Sequence, residues 1–346
     1  MPSLALLGVF VGFLKPFRSL RNPAKSRMQH NDVTRSFSWT NGLEARAAAG
    51  TDGSRGTMSG QAEFRAHRWL SKDGLSLYSR VYDAAGSAAA PVLCLHGLTR
   101  NNKDFEDLAL HLSPRYRVIC PDLRGRGLSA SDPVWQNYRP GTYLADLAGL
   151  VEGLGLRRVA VIGTSLGGLL AMMLPAFLPG VIAGVVLNDI GPEIDPVGLA
   201  RIRAYAGKLP PVRSWDEAVA QLQFVFGDAW PGLSDGTWAR LARRGYREDA
   251  AGTPVLEYDH KVGETFRTAP AAAGALWPQW AQLDALPVLA IRGALSDILS
   301  ASTFARMQQE KQDLIPLTVA GRGHVPLLDE PECLAAIDAF LARIVY

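Results

Sequence analysis

The sequence predicts an α/β fold with a mostly parallel eight-stranded sheet, helices on both faces, and a helical cap inserted after the sixth strand. Short runs of apolar and β-branched residues, such as 159–162 and 181–187, alternate with segments whose apolar residues have helical spacing. This alternation stops between residues 190 and 286 and then resumes. Alternating strands and helices build a parallel sheet, and the single long interruption indicates an inserted unit.

The eight strands follow from local composition. Residues 64–70 and 76–82 flank Asp73-Gly74, a dipeptide typical of hairpin turns, and are predicted to pair antiparallel. The other six strands are predicted at residues 91–95, 117–120, 159–162, 181–187, 287–293 and 314–319. Helices are predicted at residues 104–112, 143–154, 166–178 and 302–309, followed by a last helix with Asp329 as its N-cap. Pro175 is expected to kink its helix or end it early.

The pattern divides the chain into a sheet domain, a cap and an N-terminal extension. Residues 62–189 and 287–346 form the predicted sheet domain, and residues 190–286 form the cap. Four helical segments are predicted within the cap, at residues 197–206, 215–226, 237–246 and 271–280.

Residues 1–61 are rich in Arg, Ser, Gly and Ala and lack periodicity, so we predict that they are disordered. Their apolar run, residues 4–14, is too short to span a bilayer. Two interpretations stay open. The segment is either an extension upstream of a natural start at Met58, without a catalytic role, or a weak anchor at a membrane surface.

The charge of the chain is concentrated in this extension. The 346 residues carry a formal net charge of +3, while residues 1–60 alone hold eight Lys and Arg against three Asp and Glu. The remainder is therefore slightly acidic, and no nucleic-acid partner is expected. The three cysteines, Cys94, Cys120 and Cys333, have neither disulfide-framework nor zinc-site spacing, which favours a reduced, cytoplasmic compartment. No metal or cofactor is predicted.

Residues 159–168 combine a strand, a tight turn and a helix around Ser165. The turn reads Gly163-Thr-Ser-Leu-Gly167, a G-x-S-x-G pattern in which a serine is held above a sheet. Glycines are needed because backbone approaches backbone in such a turn, and the serine is expected to take a strained conformation. The pattern alone also occurs in ordinary turns, so the other groups of the site decide its meaning.

A carboxylate and an imidazole follow later strands, in the order Ser165, Asp297, His324. A serine hydroxyl needs a base to remove its proton, and a histidine can do so near neutral pH when a carboxylate fixes its tautomer. We therefore predict a catalytic triad of Ser165, Asp297 and His324. Asp189, which follows the strand at residues 181–187, is the second candidate for the acid.

An oxyanion hole needs two fixed backbone donors. We predict the N–H groups of Leu166, which follows the nucleophile, and Leu98, in the loop after the third strand. His96 and Asp122 are expected to hold neighbouring loops in place. Arg100 is either a residue that binds a substrate carboxylate or a solvated surface arginine.

Taken together, these motifs resemble those of the α/β-hydrolase fold superfamily. The residues that carry the resemblance are Leu95-His-Gly97, Asp122-Leu-Arg-Gly-Arg-Gly127, Gly163-Thr-Ser-Leu-Gly-Gly168, Asp297 and Gly323-His324. More narrowly, the chain is similar to bacterial esterases, enol-lactonases and meta-cleavage C–C hydrolases, over about residues 62–346. The resemblance implies the same fold and a cap above the serine. Relatives with an aspartate nucleophile are disfavoured because position 165 is serine.

The cap is rich in aromatic residues, including five of the eight tryptophans. Most of them are expected to build the core of the cap, while Trp230 and Trp277 are our candidates for lining a cavity. The predicted function is hydrolysis of a small apolar or aromatic carboxylic ester through an acyl-serine. The alternatives are C–C bond or enol-lactone hydrolysis, a cofactor-free perhydrolase, and a non-catalytic ligand receptor. We expect a small-molecule substrate and no stable membrane span; the sequence leaves the oligomeric state open.

Overall fold

A computed structural model describes residues 55–56, 64–84, 89–265 and 275–344. Its centre is a nine-stranded sheet with strand order β1-β2-β3-β5-β4-β6-β7-β10-β11. The strands are β1 (Arg55–Gly56), β2 (Phe64–Leu70), β3 (Ser76–Tyr82), β4 (Val92–Leu95), β5 (Val118–Asp122), β6 (Val159–Thr164), β7 (Ile182–Asn188), β10 (Val288–Gly293) and β11 (Ile315–Val319). All eight predicted strands are present, and the predicted fold class is confirmed.

Antiparallel pairing is confined to one side of the sheet. Strand β2 pairs antiparallel with β3, which pairs antiparallel with β5, while β5, β4, β6, β7, β10 and β11 run parallel. The ninth strand, β1, pairs with β2 and comes from the segment predicted to be disordered. Residues 1–54 and 57–63, including Met58, lie outside the described residues, so both interpretations of the extension stay open.

Helices cover both faces of the sheet because its strands are apolar on both sides. On one face, Val161 of β6 belongs to the same buried cluster as residues from α2 (Pro140–Gly153), α3 (Leu166–Phe177) and α8 (Ala301–Glu310). On the other face, Ile162 joins residues from α1 (Glu106–Leu112) and α9 (Pro331–Arg343). Burial of alternate residues on opposite faces fixes the register of β6.

Two predicted details of these helices differ from the structure. Helix α3 continues for two residues beyond Pro175, so the proline lies in its last turn. The helix therefore ends shortly after the proline and not at it. The last helix has Glu330 at its N-cap position in place of Asp329, and Pro331 is its first residue. The Glu330 carboxylate accepts hydrogen bonds from the backbone N–H groups of Leu327 and Leu328.

The cap lies between β7 and β10 and is not purely helical. It contains α4 (Pro196–Tyr205), α5 (Trp215–Phe226), α6 (Asp235–Gly245), α7 (Trp277–Trp280) and an antiparallel hairpin of β8 (Tyr246–Glu248) and β9 (Pro254–Leu256). The predicted helix over residues 271–280 is present only as α7, and residues 271–274 lie outside the described residues. Cap aromatic residues, among them Phe226, Trp230 and Trp238, form a third buried cluster. Within the described residues, no helix is long and apolar enough to cross a membrane.

Candidate active site

Ser165 occupies the turn between β6 and α3 in a strained backbone conformation. Its φ is +52° and its ψ is −114°, a region that non-glycine residues rarely enter. The positions on either side must be glycine because a side chain there would clash with the backbone. A Cβ on Gly163 would meet the backbone of Gly167, and a Cβ on Gly167 would meet the carbonyl of Leu95. The turn therefore fixes the serine at the carboxyl end of the sheet and directs its hydroxyl away from the strands.

His324 joins this hydroxyl to a carboxylate. Its Nε2 lies 2.9 Å from Ser165 Oγ, and its Nδ1 lies 2.7 Å from Asp189 Oδ2. An ionised carboxylate only accepts hydrogen bonds, so Nδ1 carries the proton in the neutral imidazole and Nε2 presents its lone pair to the serine hydroxyl. This is the arrangement in which an imidazole can take the hydroxyl proton.

Asp189 is fully buried at the end of β7 and is held by several donors. Its Oδ1 accepts a hydrogen bond from the Gly293 N–H at 2.8 Å, and its Oδ2 accepts one from Ser296 Oγ at 2.6 Å as well as the bond from His324. Hydrogen bonds to the ionised form compensate for the loss of water around a buried carboxylate. The neighbouring strand, β10, and the loop after it therefore hold Asp189 in place.

Asp297 does not contact the imidazole, which corrects the predicted pairing. Its two carboxylate oxygens accept hydrogen bonds from Nε and Nη2 of Arg201, at 2.6 and 2.8 Å. Burial would raise the pKa of Asp297, but the hydrogen bonds and charge of Arg201 hold it below its ordinary value. Asp297, the first candidate for the acid, thus pairs with Arg201 of cap helix α4. Asp189, the second candidate, contacts His324 instead.

The loop after β4 is fixed by two buried basic side chains. His96 Nε2 accepts a hydrogen bond from the Leu123 N–H at 3.0 Å, so its Nδ1 carries the proton and donates to the Gly97 carbonyl at 2.7 Å. Burial lowers the pKa of His96 to about 4, which keeps the ring neutral. Arg126, completely buried, donates from Nε to the Leu98 carbonyl at 2.9 Å. His96 thereby holds the peptide that carries the Leu98 N–H, and Arg126 holds the peptide that follows it.

The two predicted oxyanion donors belong to the residue after Ser165 and to the loop after β4. Leu98 lines the cavity above the serine, and Leu166 is the first residue of α3. Within the described residues, neither N–H donates a hydrogen bond to a backbone carbonyl. Free N–H groups at a helix start and in an ordered loop are suited to bind a developing negative charge.

A small cavity of about 70 Å³ connects the serine, the imidazole and the cap. Its apolar wall includes Ile202, Phe226, Trp230 and Leu241, and its charged wall includes Arg100. Trp230 stacks on Phe226 with ring centroids 4.8 Å apart and donates from Nε1 to the Val325 carbonyl, next to His324, at 2.6 Å. The predicted position of Trp230 in the cavity wall is therefore found.

Trp277, the other predicted cavity residue, is not in the cavity wall. Its indole N–H donates to Glu193 Oε1 at 2.6 Å, and the Arg306 guanidinium lies over its ring at 3.7 Å. Glu193 belongs to the cap and Arg306 to α8, so Trp277 packs where the cap meets the sheet domain. Within the described residues, no group of three metal-ligating side chains is present.

Comparison with known proteins agrees with this geometry. The model of the alpha/beta hydrolase family matches residues 92–337. The chain belongs to this family. Among solved structures, an alpha/beta hydrolase from Novosphingobium aromaticivorans is 43% identical, with a TM-score of 0.78 over 82% of this chain and all of that one. The resemblance that the sequence motifs indicated is thus confirmed.

Two curated relatives of this alpha/beta hydrolase are named as hydrolases of small molecules. A 3-hydroxybutyrate-oligomer hydrolase from Cupriavidus necator is 32% identical over 76% of this chain and 93% of that protein. A 2-(acetamidomethylene)succinate hydrolase from Mesorhizobium japonicum is 28% identical over 72% of this chain and 87% of that protein. The two names give different substrates, so family membership establishes a hydrolase and leaves its substrate open.

Proposed function

We infer that this hydrolase cleaves carboxylic esters through an acyl-serine intermediate on Ser165. The observation that carries the proposal is the continuous hydrogen-bonded chain from Ser165 through His324 to Asp189. His324 takes the hydroxyl proton as Ser165 attacks the ester carbonyl, and Asp189 stabilises the resulting imidazolium. The N–H groups of Leu98 and Leu166 bind the oxyanion of the tetrahedral intermediate.

The same groups complete the reaction. Collapse of the first intermediate breaks the C–O bond to the alcohol, which leaves with the proton held by His324. A water molecule then gives a proton to His324 and attacks the acyl-serine, and the second tetrahedral intermediate releases the acid and restores the serine hydroxyl. Each proton moves through Nε2, so the fixed tautomer of His324 serves both halves of the reaction.

The substrate that fits best is an ester of a small hydroxy acid. The cavity volume of about 70 Å³ suits a short acyl group. Its apolar residues suit a short aliphatic chain. The relative named as a 3-hydroxybutyrate-oligomer hydrolase aligns over most of this chain. We therefore place linear dimers and trimers of 3-hydroxybutyrate, and short-chain p-nitrophenyl esters as their analogues, first among the substrates.

Steady-state kinetics with p-nitrophenyl butyrate and the 3-hydroxybutyrate dimer test this function. Ser165→Ala should lower kcat by several orders of magnitude for both esters with an unchanged fold. Ser113→Ala is the matched control, because among the described residues the one hydrogen bond of Ser113 Oγ is a long one, 3.3 Å, to the Leu110 carbonyl. Wild-type turnover by Ser165→Ala would contradict the proposal. Hydrolysis of a vinylogous diketone without any ester hydrolysis would instead favour the C–C hydrolase alternative.

A further inference from the structure

Arg100 is an ordered arginine in the wall of the catalytic cavity. Its Cγ and the Cβ of Ser165 each lie 3.8 Å from the position that a Cβ on Gly97 would occupy, so the arginine side chain starts close to the serine. Arg100, Ser165 and His324 line the same cavity. Only 13% of the Arg100 side chain is exposed, which distinguishes it from a solvated surface arginine.

One edge of this guanidinium is occupied. Asp104 accepts hydrogen bonds from Nε at 2.8 Å and from Nη2 at 2.5 Å, and these bonds fix the plane of the group. A guanidinium has five N–H bonds, of which Asp104 uses two. Within the described residues, Arg100 Nη1 has no hydrogen-bond partner. It is not among the fully buried atoms that lack a partner, so this nitrogen is still accessible. Nη1 lies beside Gly245 at the end of α6, and the N–H groups of Nη1 and the second N–H of Nη2 are the donors that Asp104 leaves unused for a ligand.

The guanidinium groups of the cavity wall are paired with carboxylates, so the shape of the unused Arg100 edge, not an excess of positive charge, favours a carboxylate ligand. Besides His324, the charged side chains that line the cavity are Arg100, Arg244 and Asp104. Arg244 is paired outside the cavity with Asp107, at 2.8 Å, and its buried Nε has no hydrogen-bond partner among the described residues. Glu106 lies 3.8 Å from this Nε, so Arg244 is neutralised by Asp107 and Glu106, which leaves Arg100 as the guanidinium with unused donors in the cavity wall. A planar carboxylate matches the free edge of Arg100 through two parallel N–H···O bonds.

We propose that the free edge of Arg100 binds a carboxylate of the substrate, so that the preferred esters are those whose alcohol portion ends in a carboxylate. This rests on the proposed ester hydrolysis and specifies its substrate class. A linear hydroxy-acid dimer has this form, since its scissile ester and its free carboxylate are separated by a short aliphatic chain. Binding the charged end at Arg100 places the ester carbonyl at Ser165.

The probes are the 3-hydroxybutyrate dimer and its terminal primary amide, which has the same scissile ester and no charge. For the wild-type protein, kcat/KM for the acid should exceed that for the amide by roughly 10- to 100-fold, the range expected for a charge-assisted hydrogen bond. Arg100→Met should bring this ratio close to one, mainly through KM. Arg100→Lys should restore part of it, because the charge returns without the planar edge.

Gly245→Ala tests the same edge without removing the arginine. A Cβ on Gly245, the last residue of α6, would lie 2.8 Å from Arg100 Nη1 and displace it, whereas a Cβ on Gly236 of the same helix would meet nothing closer than 3.9 Å. Gly245→Ala should lower the acid-to-amide ratio, and Gly236→Ala should leave it at the wild-type value. If Arg100→Met does not fold, Gly245→Ala decides the question.

The outcomes separate this proposal from the proposed function. Hydrolysis of p-nitrophenyl butyrate and of the dimer amide by the wild-type protein reports on the triad alone. If both esters are cleaved and the wild-type ratio of acid to amide is near one, ester hydrolysis stands and the Arg100 subsite is wrong. A ratio that persists in Arg100→Met also overturns the subsite. If the wild-type protein cleaves no ester, the proposed function itself fails.

Discussion

Arg201 and Asp297 form a bidentate ion pair that joins the cap to the sheet domain. The guanidinium of Arg201, on α4, donates to both oxygens of Asp297, in the loop after β10, at 2.6 and 2.8 Å. This loop also contains Ser296, whose hydroxyl donates to Asp189. The ion pair therefore connects the cap to the loop whose Ser296 binds the buried carboxylate of Asp189.

A double-mutant cycle measures what this pair contributes. Both side chains are 30% exposed, so solvent screens their attraction. We expect a coupling free energy of at most about 1 kcal/mol between Arg201→Met and Asp297→Asn in denaturant unfolding at low salt, decreasing in high salt. Additive effects of the two substitutions at low salt would show that the ion pair does not stabilise the fold.

Asp189→Asn and Asp297→Asn distinguish the two candidate acids. Removing the charge that faces Nδ1 of His324 should lower kcat by about three to four orders of magnitude, because the wrong tautomer is favoured and the imidazolium loses its counter-charge. Asp297→Asn is the matched control and should change kcat by less than about ten-fold, since its hydrogen bonds go to Arg201. Equal losses for the two variants would contradict the assignment of Asp189.

Trp230→Phe tests the contact between the cap and the segment after His324. The substitution preserves an aromatic ring against Phe226 and removes the 2.6 Å hydrogen bond to the Val325 carbonyl. We expect kcat to fall about three- to ten-fold, the effect of one lost hydrogen bond at a residue adjacent to the base. Trp238→Phe is the control, because Trp238 belongs to the same aromatic cluster without that bond. A larger loss of kcat in Trp238→Phe would point to cap packing instead.

His96 should make the stability of the protein depend on pH. Burial lowers its pKa to about 4 in the folded state, whereas it is about 6.5 in an unfolded chain. The unfolded chain therefore takes up the proton first as the pH falls below about 6.5, and the contribution of His96 to stability decreases until about pH 4. The stability difference between wild type and His96→Asn should shrink by about 3 kcal/mol over this window.

The quantity to measure is the difference in unfolding free energy between wild type and His96→Asn, because protonation of Asp122 changes the stability in the opposite direction. Burial raises the pKa of Asp122 to about 6, so its protonation favours the folded state as the pH falls towards about 4. This contribution is common to both proteins and cancels in the comparison. A stability difference that does not change between pH 7 and pH 4 would contradict a neutral, buried His96.

The sheet was predictable from sequence because its signals are local. Each parallel strand is a short apolar run, and burial on both faces leaves few other conformations open to such a run. The hairpin of β8 and β9 was not predictable in the same way. Its residues, Tyr246–Glu248 and Pro254–Leu256, include charged side chains and a proline, and the hairpin is held by tertiary contacts of the cap, such as the hydrogen bond from Trp215 Nε1 to Glu248 Oε1 at 3.0 Å.

The carboxylate that contacts His324 could not be chosen from sequence for a similar reason. Asp189 and Asp297 each follow a parallel strand, and the order of elements allows either to approach His324. The choice depends on Ser296 and Gly293, which hold Asp189, and on Arg201, which pairs with Asp297 from the distant cap. Ser165 and His324 could be expected near one another because each follows a parallel strand, and the carboxyl ends of parallel strands meet at one edge of the sheet.

The most direct test of the account is the identity of the acylated residue. The protein is mixed with p-nitrophenyl butyrate, quenched with acid during the first turnover, digested, and analysed by peptide mass spectrometry. We predict a butyryl group on Ser165 in the wild-type protein and no butyryl group in Ser165→Ala. A butyryl group on another residue, or full ester turnover without any acyl-enzyme, would contradict a serine nucleophile at position 165.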